Sequence, residues 1–371
     1  MSREQNFIRT QPNSKYDFSS KLNTLASNPD KFYLNSVEEM NNYLNDNYPL
    51  FFETFELTDF IGYGGTGKVF EGKLKNSKRK QKIAFKFKIN HRNRIVQDTQ
   101  EILILKKIHF KYITEIYAFI KISDNSNFSV LELGKYGDLD HFQKVLLKRK
   151  VLSETMICYL TKQILESLQY IHRCKIIHMD IKQGNILIDS DLNIKLTDFS
   201  VSCSYAEFDL GDVVKLPFVG TKRYMSPEII ERIQLKIKEC QKIDIYSLGI
   251  TLYDLAFGFF PYKLNEVEGS DYENILKYIK KENLEFPKDR KVSDLFKDFL
   301  KGLLEKDYKK RFTIEKALNH PWIKAADIIY DEKENCFCHE TFLINLLTDN
   351  IRKYSDFIKD KRNLIKINFI N

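Results

Sequence analysis

The dominant periodicity of the sequence changes at Gly134, and this change constrains the fold more than any other feature. Before it, from Phe55 onward, short segments rich in β-branched and aromatic residues alternate between polar and apolar positions or run apolar, as strands do. After it, apolar residues recur every three or four positions, which is typical of helices that bury one face. An α+β fold is therefore predicted, in which a small β-rich lobe precedes a larger, mainly α-helical lobe, with a ligand in the cleft between them.

The predicted elements follow this change along the chain. Five strands are expected in the first lobe, at residues 55–62, 68–74, 82–89, 113–122 and 128–133. One helix is expected at about 94–108, with Ile95, Ile102 and Leu105 spaced for one buried stripe. In the second lobe, Ser153 is placed to cap a long helix, because apolar residues such as Ile157 and Leu160 follow it at helical spacing. The remaining elements are short strands at 186–188 and 194–196 and helices at about 244–257, 293–305 and 313–320.

Length and composition divide the chain into three parts. Its 371 residues exceed the size at which a single core keeps growing, so two packed lobes are expected, at 53–134 and 135–323. Residues 1–52 are polar and rich in Asn and Ser, which predicts a tethering N-terminal extension with a short helix opening at 36–39. An amphipathic helical tail is expected in 324–371.

Charge and hydropathy narrow the class of protein. The formal net charge of +8 attracts anions without naming one. The chain begins without an apolar run, and the apolar stretch 245–262 is interrupted by Asp254 and closed by Pro261, so neither a signal peptide nor a transmembrane segment is predicted. A cytoplasmic or nuclear location is therefore expected. The basic run 73–94 alternates with strand-forming residues, so no nucleic-acid partner is predicted.

A glycine-rich turn lies between the first two predicted strands. Gly62, Gly64 and Gly67, followed by Val69, provide a backbone that bends tightly and can bring its N–H groups against phosphate oxygens. A glycine turn that serves only the hairpin satisfies the same pattern. The residues alone leave both interpretations open.

The third predicted strand carries Lys86 on the same face as Ala84. The helix that follows supplies Glu101, a carboxylate that would hold the Lys86 ammonium in place. Such an ion pair positions a flexible cation where two phosphates can use it. A solvated lysine on an edge strand is the alternative in a stretch this basic.

The most specific cluster consists of two short segments on either side of a predicted β-hairpin. The first, 178–185, reads His-Met-Asp-Ile-Lys-Gln-Gly-Asn and contains Asp180, Lys182 and Asn185, and the second contains Asp198. Phosphoryl transfer needs this mixture: a carboxylate that orients a hydroxyl and accepts its proton, a cation near the transferred group, and oxygen ligands for Mg²⁺.

In their types and order, these motifs resemble the protein kinase family over residues 53–323. The resemblance extends beyond the chemical motifs, since Glu228 looks like the end of an activation segment and Arg311 like the arginine that pairs with it. It implies a two-lobed protein kinase-like fold, with residues 53–134 as the N-lobe and 135–323 as the C-lobe.

The resemblance also implies ATP and Mg²⁺ as cofactors. In nucleotide binding, the glycine loop would cover ATP, and Lys86 with Glu101 would clamp its α and β phosphates. The implied nucleotide-binding residues are Gly62, Gly64, Gly67, Val69, Ala84, Lys86, Leu131, Glu132, Gly134, Asp138 and Leu187.

In catalysis, the resemblance implies that Asp180 is the base and that Lys182 touches the transferred phosphate, while Asn185 and Asp198 hold Mg²⁺. The implied activity is transfer of the γ-phosphoryl group of Mg-ATP to protein substrates. Lys182, together with Thr221, which matches a threonine that bridges base and lysine, favours Ser and Thr hydroxyls over Tyr. The alternative is a pseudokinase, a nucleotide-sensing or scaffolding module without phosphotransfer. Such proteins typically lose the strand lysine, the base or the metal-binding Asp, all of which are present here.

Two positions depart from the family pattern. Met179 replaces the arginine that usually precedes the base and commonly receives a phosphorylated activation-loop residue, so this is a non-RD chain that lacks half of an Arg–phosphate switch. Ser200 replaces the glycine of the DFG motif, which predicts a restricted flip of Asp198 and weakened activity. The C-terminal tail is expected to dock on the large lobe as an amphipathic helix, and binding of a regulatory partner there or at the N-terminal extension is the alternative.

Overall fold

The structure, a computed structural model, describes residues 7–8, 37–47, 49–64, 67–75, 82–89, 95–123, 126–146, 152–209, 211–264 and 272–324. Within these ranges the chain forms two compact units. The first extends to Lys135 and also contains Thr197–Ser200, and the second contains Tyr136–Leu196 and continues from Val201. None of the helices in these ranges is both long and apolar enough to span a membrane.

The first unit is built on an antiparallel sheet. Its strands are β1 (Phe7–Ile8), β2 (Phe55–Gly64), β3 (Gly67–Leu74), β4 (Lys82–Ile89), β5 (Ile116–Ser123) and β6 (Ser126–Glu132), in the spatial order β1-β5-β6-β4-β3-β2. Strand β5 begins three residues later than predicted, because the N–H of Ile113 first closes a turn onto the carbonyl of Phe110. The other four predicted strands agree with β2, β3, β4 and β6 to within two residues at each end.

Aromatic side chains on one face of this sheet form the core of the first unit. Phe70, Phe85 and Phe128 lie on neighbouring strands and are buried, and the ring centroids of Phe85 and Phe128 are 5.6 Å apart. Since side chains alternate along a strand, Ala84 and Lys86 point to the opposite face. The aromatic core thereby leaves that face of β4 available for charged groups.

Helices α1 (Val37–Asn47) and α2 (Pro49–Thr54) belong to the same core. Their buried members are Met40, Leu44 and Phe51. The interpretation of residues 1–52 as a polar tether therefore does not hold for 37–52. The few apolar positions in this polar stretch are buried against the sheet, so the boundary placed at 53 divides a continuous core.

Asn41 of α1 joins this helix to the edge strand β2. Its Nδ2 donates to the carbonyl oxygen of Leu57 at 3.0 Å, and its Oδ1 accepts from the Leu57 N–H at 3.3 Å. The amide thus satisfies both backbone groups of one residue near a register shift in β2, where the pairing with β3 is interrupted.

Helix α3 (Ile95–Lys107) agrees with the predicted helix to within one residue at each end. Ile102 and Leu105 are buried, as their spacing predicted, whereas Leu103 is exposed. The side chain of Ile95, the third member of the predicted stripe, lies outside the described residues. Glu101 is buried, so α3 carries a carboxylate into the interior of the first unit.

The second unit is mainly helical. Within the described residues its helices are α4 (Leu139–His141), α5 (Glu154–Arg173), α6 (Pro227–Ile230), α7 (Ile237–Cys240), α8 (Lys242–Phe257), α9 (Tyr272–Lys281), α10 (Asp294–Leu303) and α11 (Ile314–Leu318). Short two-stranded ribbons join β7 (Ile176–Ile177) to β10 (Cys203–Ser204), β8 (Ile186–Ile188) to β9 (Ile194–Leu196), and β11 (Val213–Val214) to β12 (Leu235–Lys236). The α+β prediction, with a β-rich part followed by a mainly helical part, is confirmed.

Several local predictions for the second unit are also confirmed. Ser153 Oγ caps α5 by accepting from the N–H of Met156 at 3.2 Å. Strands β8 and β9 have the predicted bounds, and α8, α10 and α11 match the predicted helices to within two residues. Arg311 pairs with Glu228 through two hydrogen bonds of 2.6 and 2.9 Å, and both side chains are buried.

Asp244, near the start of the buried helix α8, fixes the chain immediately before the predicted base. Its carboxylate accepts from the backbone N–H groups of His178 and Met179, each at 2.9 Å, and lies 2.9 Å from Nε2 of His172. Burial raises the pKa of Asp244, but these hydrogen bonds and the nearby histidines outweigh it and lower the pKa. The carboxylate is therefore an ionised anchor for the backbone of the segment 178–185.

Candidate active site

The first unit brings three predicted site residues together around Lys86 of β4. Lys86 Nζ lies 3.2 Å from Asp198 Oδ1 and 3.6 Å from Glu101 Oε1. All three side chains are largely buried, so their charges interact more strongly than they would in water. The contact expected between Lys86 and Glu101 is present, but the shorter contact of Lys86 is with Asp198.

A second lysine of β4, which the sequence motif does not include, is the closer partner of Glu101. Lys88 Nζ forms an ion pair with Glu101 Oε2, and the Lys88 side chain is only 2% exposed. Lys88 follows Lys86 by two residues and therefore shares its face of the strand. This two-residue spacing could have predicted the contact, because it places both lysines on the strand face that Glu101 of α3 approaches.

Asp198 is held as an anion by its surroundings. Burial would raise the pKa of its carboxyl, but Lys86, Lys88 and a hydrogen bond with the Ser200 side chain hold that pKa well below its usual range. Its backbone φ of 64° lies in the left-handed region, which is uncommon for a residue with a side chain. The serine that departs from the family pattern thus contacts the implied metal ligand directly.

The glycine turn connects β2 and β3 as an antiparallel hairpin. Gly62 lies opposite Val69 and Gly64 opposite Gly67, while the tip, 65–66, falls outside the described residues. A Cβ on Gly67 would come within 2.0 Å of the Phe87 carbonyl oxygen, whereas no described atom lies within 4 Å of a Cβ built on Gly62. The close approach of β4 is therefore a structural reason for glycine at position 67. The phosphate-binding role of the turn remains a prediction.

Four of the residues implied in nucleotide binding lie in or just after the paired strands β4 and β6. Ala84 of β4 is the cross-strand partner of Leu131 of β6, and both are buried. Glu132 ends β6, and its Oε2 accepts from the backbone N–H of Glu115 at 3.3 Å. Gly134 follows and is buried. Their implied contacts with a nucleotide remain predictions.

The second unit brings together the predicted base and its neighbours. Lys182 Nζ donates to Asp180 Oδ2 and to Thr221 Oγ1, each at 2.7 Å. The Thr221 N–H donates to Asp180 Oδ1 at 2.8 Å, and Asn185 Nδ2 donates to Asp180 Oδ2 at 3.0 Å and to its carbonyl at 2.8 Å. Both carboxylate oxygens of Asp180 are thereby oriented by groups from two separate segments.

A close backbone contact joins these two segments. Gly220 has a φ of 111°, and a Cβ at this position would lie 2.6 Å from the carbonyl oxygen of Met179, so only glycine fits without strain. Met179 is itself buried, with a φ of 70°. The approach sets Thr221 beside Asp180, and the position where the family commonly has an arginine is filled by an apolar side chain.

Asp138 and Leu187, which are implied in nucleotide binding, form an isolated antiparallel bridge in the second unit. Asp138 Oδ1 accepts from the N–H of His141 at 2.8 Å and caps α4. This carboxylate therefore has a structural task in the second unit, and its implied contact with a ribose remains a prediction.

Each of the two implied Mg²⁺ ligands has the chemistry that a hard cation requires. The low pKa of Asp198 keeps its carboxylate ionised, and Asn185 donates to Asp180 from Nδ2, which leaves Oδ1 as its acceptor atom. Asp198 belongs to the first unit and Asn185 to the second. Among the described residues, no group of three or more His, Cys, Asp or Glu side chains forms a metal site. This is compatible with Mg²⁺, which takes few protein ligands and completes its shell with phosphate oxygens and water.

Comparison with known families assigns the chain. The sequence model of the protein kinase domain matches residues 55–323. The chain therefore belongs to the protein kinase family, and both the predicted resemblance and the predicted kinase fold are confirmed. Members of this family use ATP with Mg²⁺.

Similar proteins include several with serine/threonine kinase names. The chain is 31% identical to testis-specific serine/threonine-protein kinase 2 of Mus musculus over 61% of its own length and 60% of the relative's. It is 32% identical to the probable serine/threonine-protein kinase fhkA of Dictyostelium discoideum, over 71% of its own length and 49% of the relative's. With serine/threonine-protein kinase TIO of Arabidopsis thaliana the identity is 29%, over 76% and 20% of the two lengths. The chain thus spans about three-fifths or less of these relatives.

Proposed function

We propose that this chain is an ATP-dependent protein kinase that transfers the γ-phosphoryl group of Mg-ATP to Ser or Thr hydroxyls of protein substrates. The observation that carries the proposal is the hydrogen-bond network of Asp180, in which both carboxylate oxygens are oriented by Lys182, Asn185 and Thr221. A base held in this way can orient a hydroxyl and receive its proton.

In the proposed reaction, the substrate hydroxyl oxygen forms a bond to the γ-phosphorus while the bond from that phosphorus to the ADP oxygen breaks. The hydroxyl proton passes to Asp180. Lys182, which already bonds to Asp180 at 2.7 Å, supplies positive charge beside the transferred group. Lys86 would bind the α and β phosphates, and Asn185 and Asp198 would hold Mg²⁺, which neutralises phosphate charge when bound.

Two features favour Ser and Thr as acceptors. Lys182 bridges the base and Thr221, an arrangement that resembles Ser/Thr kinases of the family. The names of similar proteins point the same way, since the relatives from mouse, Dictyostelium and Arabidopsis are serine/threonine kinases by name. The residues that mark a pseudokinase by their loss, Lys86, Asp180 and Asp198, are all present.

The proposal extends to location and regulation. A cytoplasmic or nuclear location is proposed. A regulatory partner is proposed at the tail, 324–371, where Phe342, Leu343 and Leu346 recur at helical spacing. All but the first residue of that tail lies outside the described residues. If the partner instead binds the N-terminal extension, it would bind the residues before α1, because the apolar side chains of α1 and α2 are buried in the core of the first unit.

The test is a phosphate-transfer assay with Mg-ATP and generic Ser, Thr and Tyr acceptor peptides. Wild type is compared with Lys86→Met and Asp198→Asn. Both variants are expected to lose at least about 99% of the activity, because each removes a charged side chain that binds phosphate or metal in the proposed reaction. Asp191→Asn is the matched control, since Asp191 is an exposed aspartate in the β8–β9 turn. This control should retain wild-type activity on Ser and Thr peptides.

Three other outcomes would contradict the proposal in different ways. Transfer by wild type that equals transfer by both variants would identify a pseudokinase. A rise in melting temperature with Mg-ATP, without transfer, would identify the nucleotide-sensing form of it. Transfer to Tyr peptides alone would keep the enzyme class and overturn the acceptor.

A further inference from the structure

Two cations of the second unit are held by aromatic rings and not by carboxylates. Phe218 and Tyr272 pack with their ring centroids 4.6 Å apart. Lys222 Nζ lies 5.1 Å from the centre of the Tyr272 ring, and the guanidinium of Arg232 lies 4.5 Å from the centre of the Phe218 ring. Arg232 is exposed, and the other three side chains are partly exposed. We call these four residues the cation–aromatic cluster.

The positive charge of this cluster is not balanced within the described part of the chain. An aromatic ring attracts a cation through its quadrupole but carries no net charge. The carboxylates nearest to Arg232 in the chain already have partners, since Glu228 pairs with Arg311 and Glu231 with Lys280. Among the described residues, Lys222 and Arg232 form no ion pair. Two accessible cations are therefore available to an anion from outside.

The cluster begins next to the hydrogen bonds that orient the predicted base. Thr221, the residue before Lys222, donates its N–H to Asp180 Oδ1 at 2.8 Å. Consecutive Cα atoms are about 3.8 Å apart, and an extended peptide advances about 3.3–3.6 Å per residue. A substrate whose hydroxyl meets Asp180 would therefore bring side chains a few positions away within reach of Lys222.

The charge changes sign along the same segment. Burial raises the pKa of the Tyr224 hydroxyl, and the nearby carboxylates of Asp254 and Asp140 raise it further. Tyr224 follows Lys222 by only two residues, so its surroundings are negative where those of the cluster are positive. An acidic side chain of a bound peptide should therefore be favoured on the side of the cluster and not at every position.

We propose that Lys222 and Arg232 form a subsite for an acidic residue of the substrate, close in sequence to the acceptor Ser or Thr. The ligand is an anionic oxygen group, the carboxylate of Asp or Glu or the phosphate of phosphoserine, which accepts hydrogen bonds from an ammonium and a guanidinium alike. The rings of Tyr272 and Phe218 hold the two cations in place, which lowers the entropy cost of an ion pair. The role in substrate choice rests on the proposed function, whereas the binding of an acidic peptide does not.

Peptide binding without ATP tests the subsite separately from phosphate transfer. A fluorescent peptide with Ala in place of the acceptor carries either Glu or Gln, scanned over about four positions on either side of the Ala. At one or two adjacent positions, wild type should bind the Glu peptide about three- to thirtyfold more tightly than the Gln peptide, the range of two partly exposed ion pairs. Phosphoserine at the same position distinguishes the sources, since tighter binding than Glu assigns a phosphorylated substrate and weaker binding a carboxylate.

Variants assign this preference to the cluster. Lys222→Gln and Arg232→Gln should each lower the ratio of Glu to Gln affinities, and the double variant should bring it within about twofold of unity. Lys222→Glu should reverse the preference, so that a Lys peptide binds more tightly than the Glu peptide at that position. A merely structural role would not produce this reversal, and melting temperatures identify any variant that fails to fold.

Lys316→Gln is the matched control. Lys316 also lies over a ring, with Nζ 4.4 Å from the centre of Phe312, but it belongs to α11, which packs against α5. This variant removes the same charge from the second unit and should keep the wild-type ratio of affinities.

Three results would overturn the proposal. The first is equal binding of Glu and Gln peptides at every position. The second is a Glu preference of equal size at all positions, which would reflect only the net charge of +8. The third is a preference that survives in the double variant. When Ser is restored, kcat/KM should follow the same preference. Selective binding without any transfer would overturn the proposed function and keep the acidic-peptide site.

Discussion

Two groups of charged side chains, one around Lys86 and Glu101 in the first unit and one around Asp180 in the second, differ in burial and in the partners that bind them. In the first unit, the Lys88 and Glu101 side chains are 2% and 6% exposed, and the partners are charged side chains from β4, α3 and the Thr197–Ser200 segment. In the second unit, the Lys182 and Asp180 side chains are 28% and 10% exposed. The Thr221 N–H and the Asn185 amide donate to Asp180, and Lys182 donates to the Thr221 hydroxyl. The first group balances charge away from water, and the second sets the direction of a single carboxylate.

Because of this difference, losing one partner should have different effects on stability and activity in the two groups. In the buried group, removing one charge strands another where water cannot reach it, so folding stability should respond most. In the second group, each hydrogen bond is directional, so a lost partner should change the orientation of Asp180 and hence activity more than stability.

The largest expected effect tests the second group. Asp180→Asn should lower phosphate transfer by about 10²- to 10⁴-fold, because the amide cannot accept the hydroxyl proton. Its melting temperature should fall less than that of Glu101→Gln, since Asn185 and the Thr221 N–H retain partners on the backbone and on Oδ1. The checks are kcat on a Ser peptide and thermal unfolding of both variants. A larger loss of stability in Asp180→Asn would contradict the division between the two groups.

The contents of the second group could be predicted from sequence, because they lie close together in the chain. Asp180, Lys182 and Asn185 fall within six positions, so the local loop largely determines their contacts. Thr221 was found through the family resemblance. What the sequence did not show is the positive φ of Gly220, which allows the two segments to approach.

The first group was predicted only in part, because its contacts depend on tertiary packing. Lys86 and Asp198 are 112 positions apart, and only the resemblance linked them. Lys88 matched no motif, and a lysine on a strand in a basic stretch is ordinarily solvated. The burial of Met40, Leu44 and Phe51 was missed for the same reason, since a polar segment with few apolar residues gains its helical packing from the sheet beneath it.

A smaller effect separates the hydroxyl of Thr221 from its backbone. Thr221→Ala removes the oxygen that accepts from Lys182 Nζ at 2.7 Å but keeps the N–H that bonds to Asp180. Transfer should fall roughly ten- to a hundredfold, the range of a hydrogen bond to a charged group. Thr221→Ser retains the hydroxyl and should stay within about threefold of wild type. If serine loses as much activity as alanine, the hydroxyl does not position Lys182.

The smallest effects concern pH, and the two units should differ in sign. The pKa of Asp198 is lowered in the folded state, so its contribution to stability is present above the unfolded value of about 3.9 and is lost progressively as the pH falls from that value toward the lower folded-state pKa. Asp254 of α8 has its pKa raised to about 6, first by burial and then by repulsion from Asp140. The folded state therefore binds more protons than the unfolded state between about pH 4 and 6, and stability falls as the pH rises through that window.

Urea unfolding from pH 3 to 8 separates these contributions. Asp254→Asn should remove the fall in the free energy of unfolding between about pH 4 and 6, while Asp198→Asn should flatten the loss below about pH 4. Gln183 Nε2 donates to Asp254 Oδ2 at 2.9 Å, and the amide oxygen of asparagine can still accept this bond, so the variant chiefly removes the charge. An unchanged slope in Asp254→Asn would mean that its carboxyl is as well solvated as an exposed one. In that case, only Asp198 would contribute to the pH dependence compared here. Its two lysine neighbours stabilise the ionised carboxylate, whereas burial opposes ionisation.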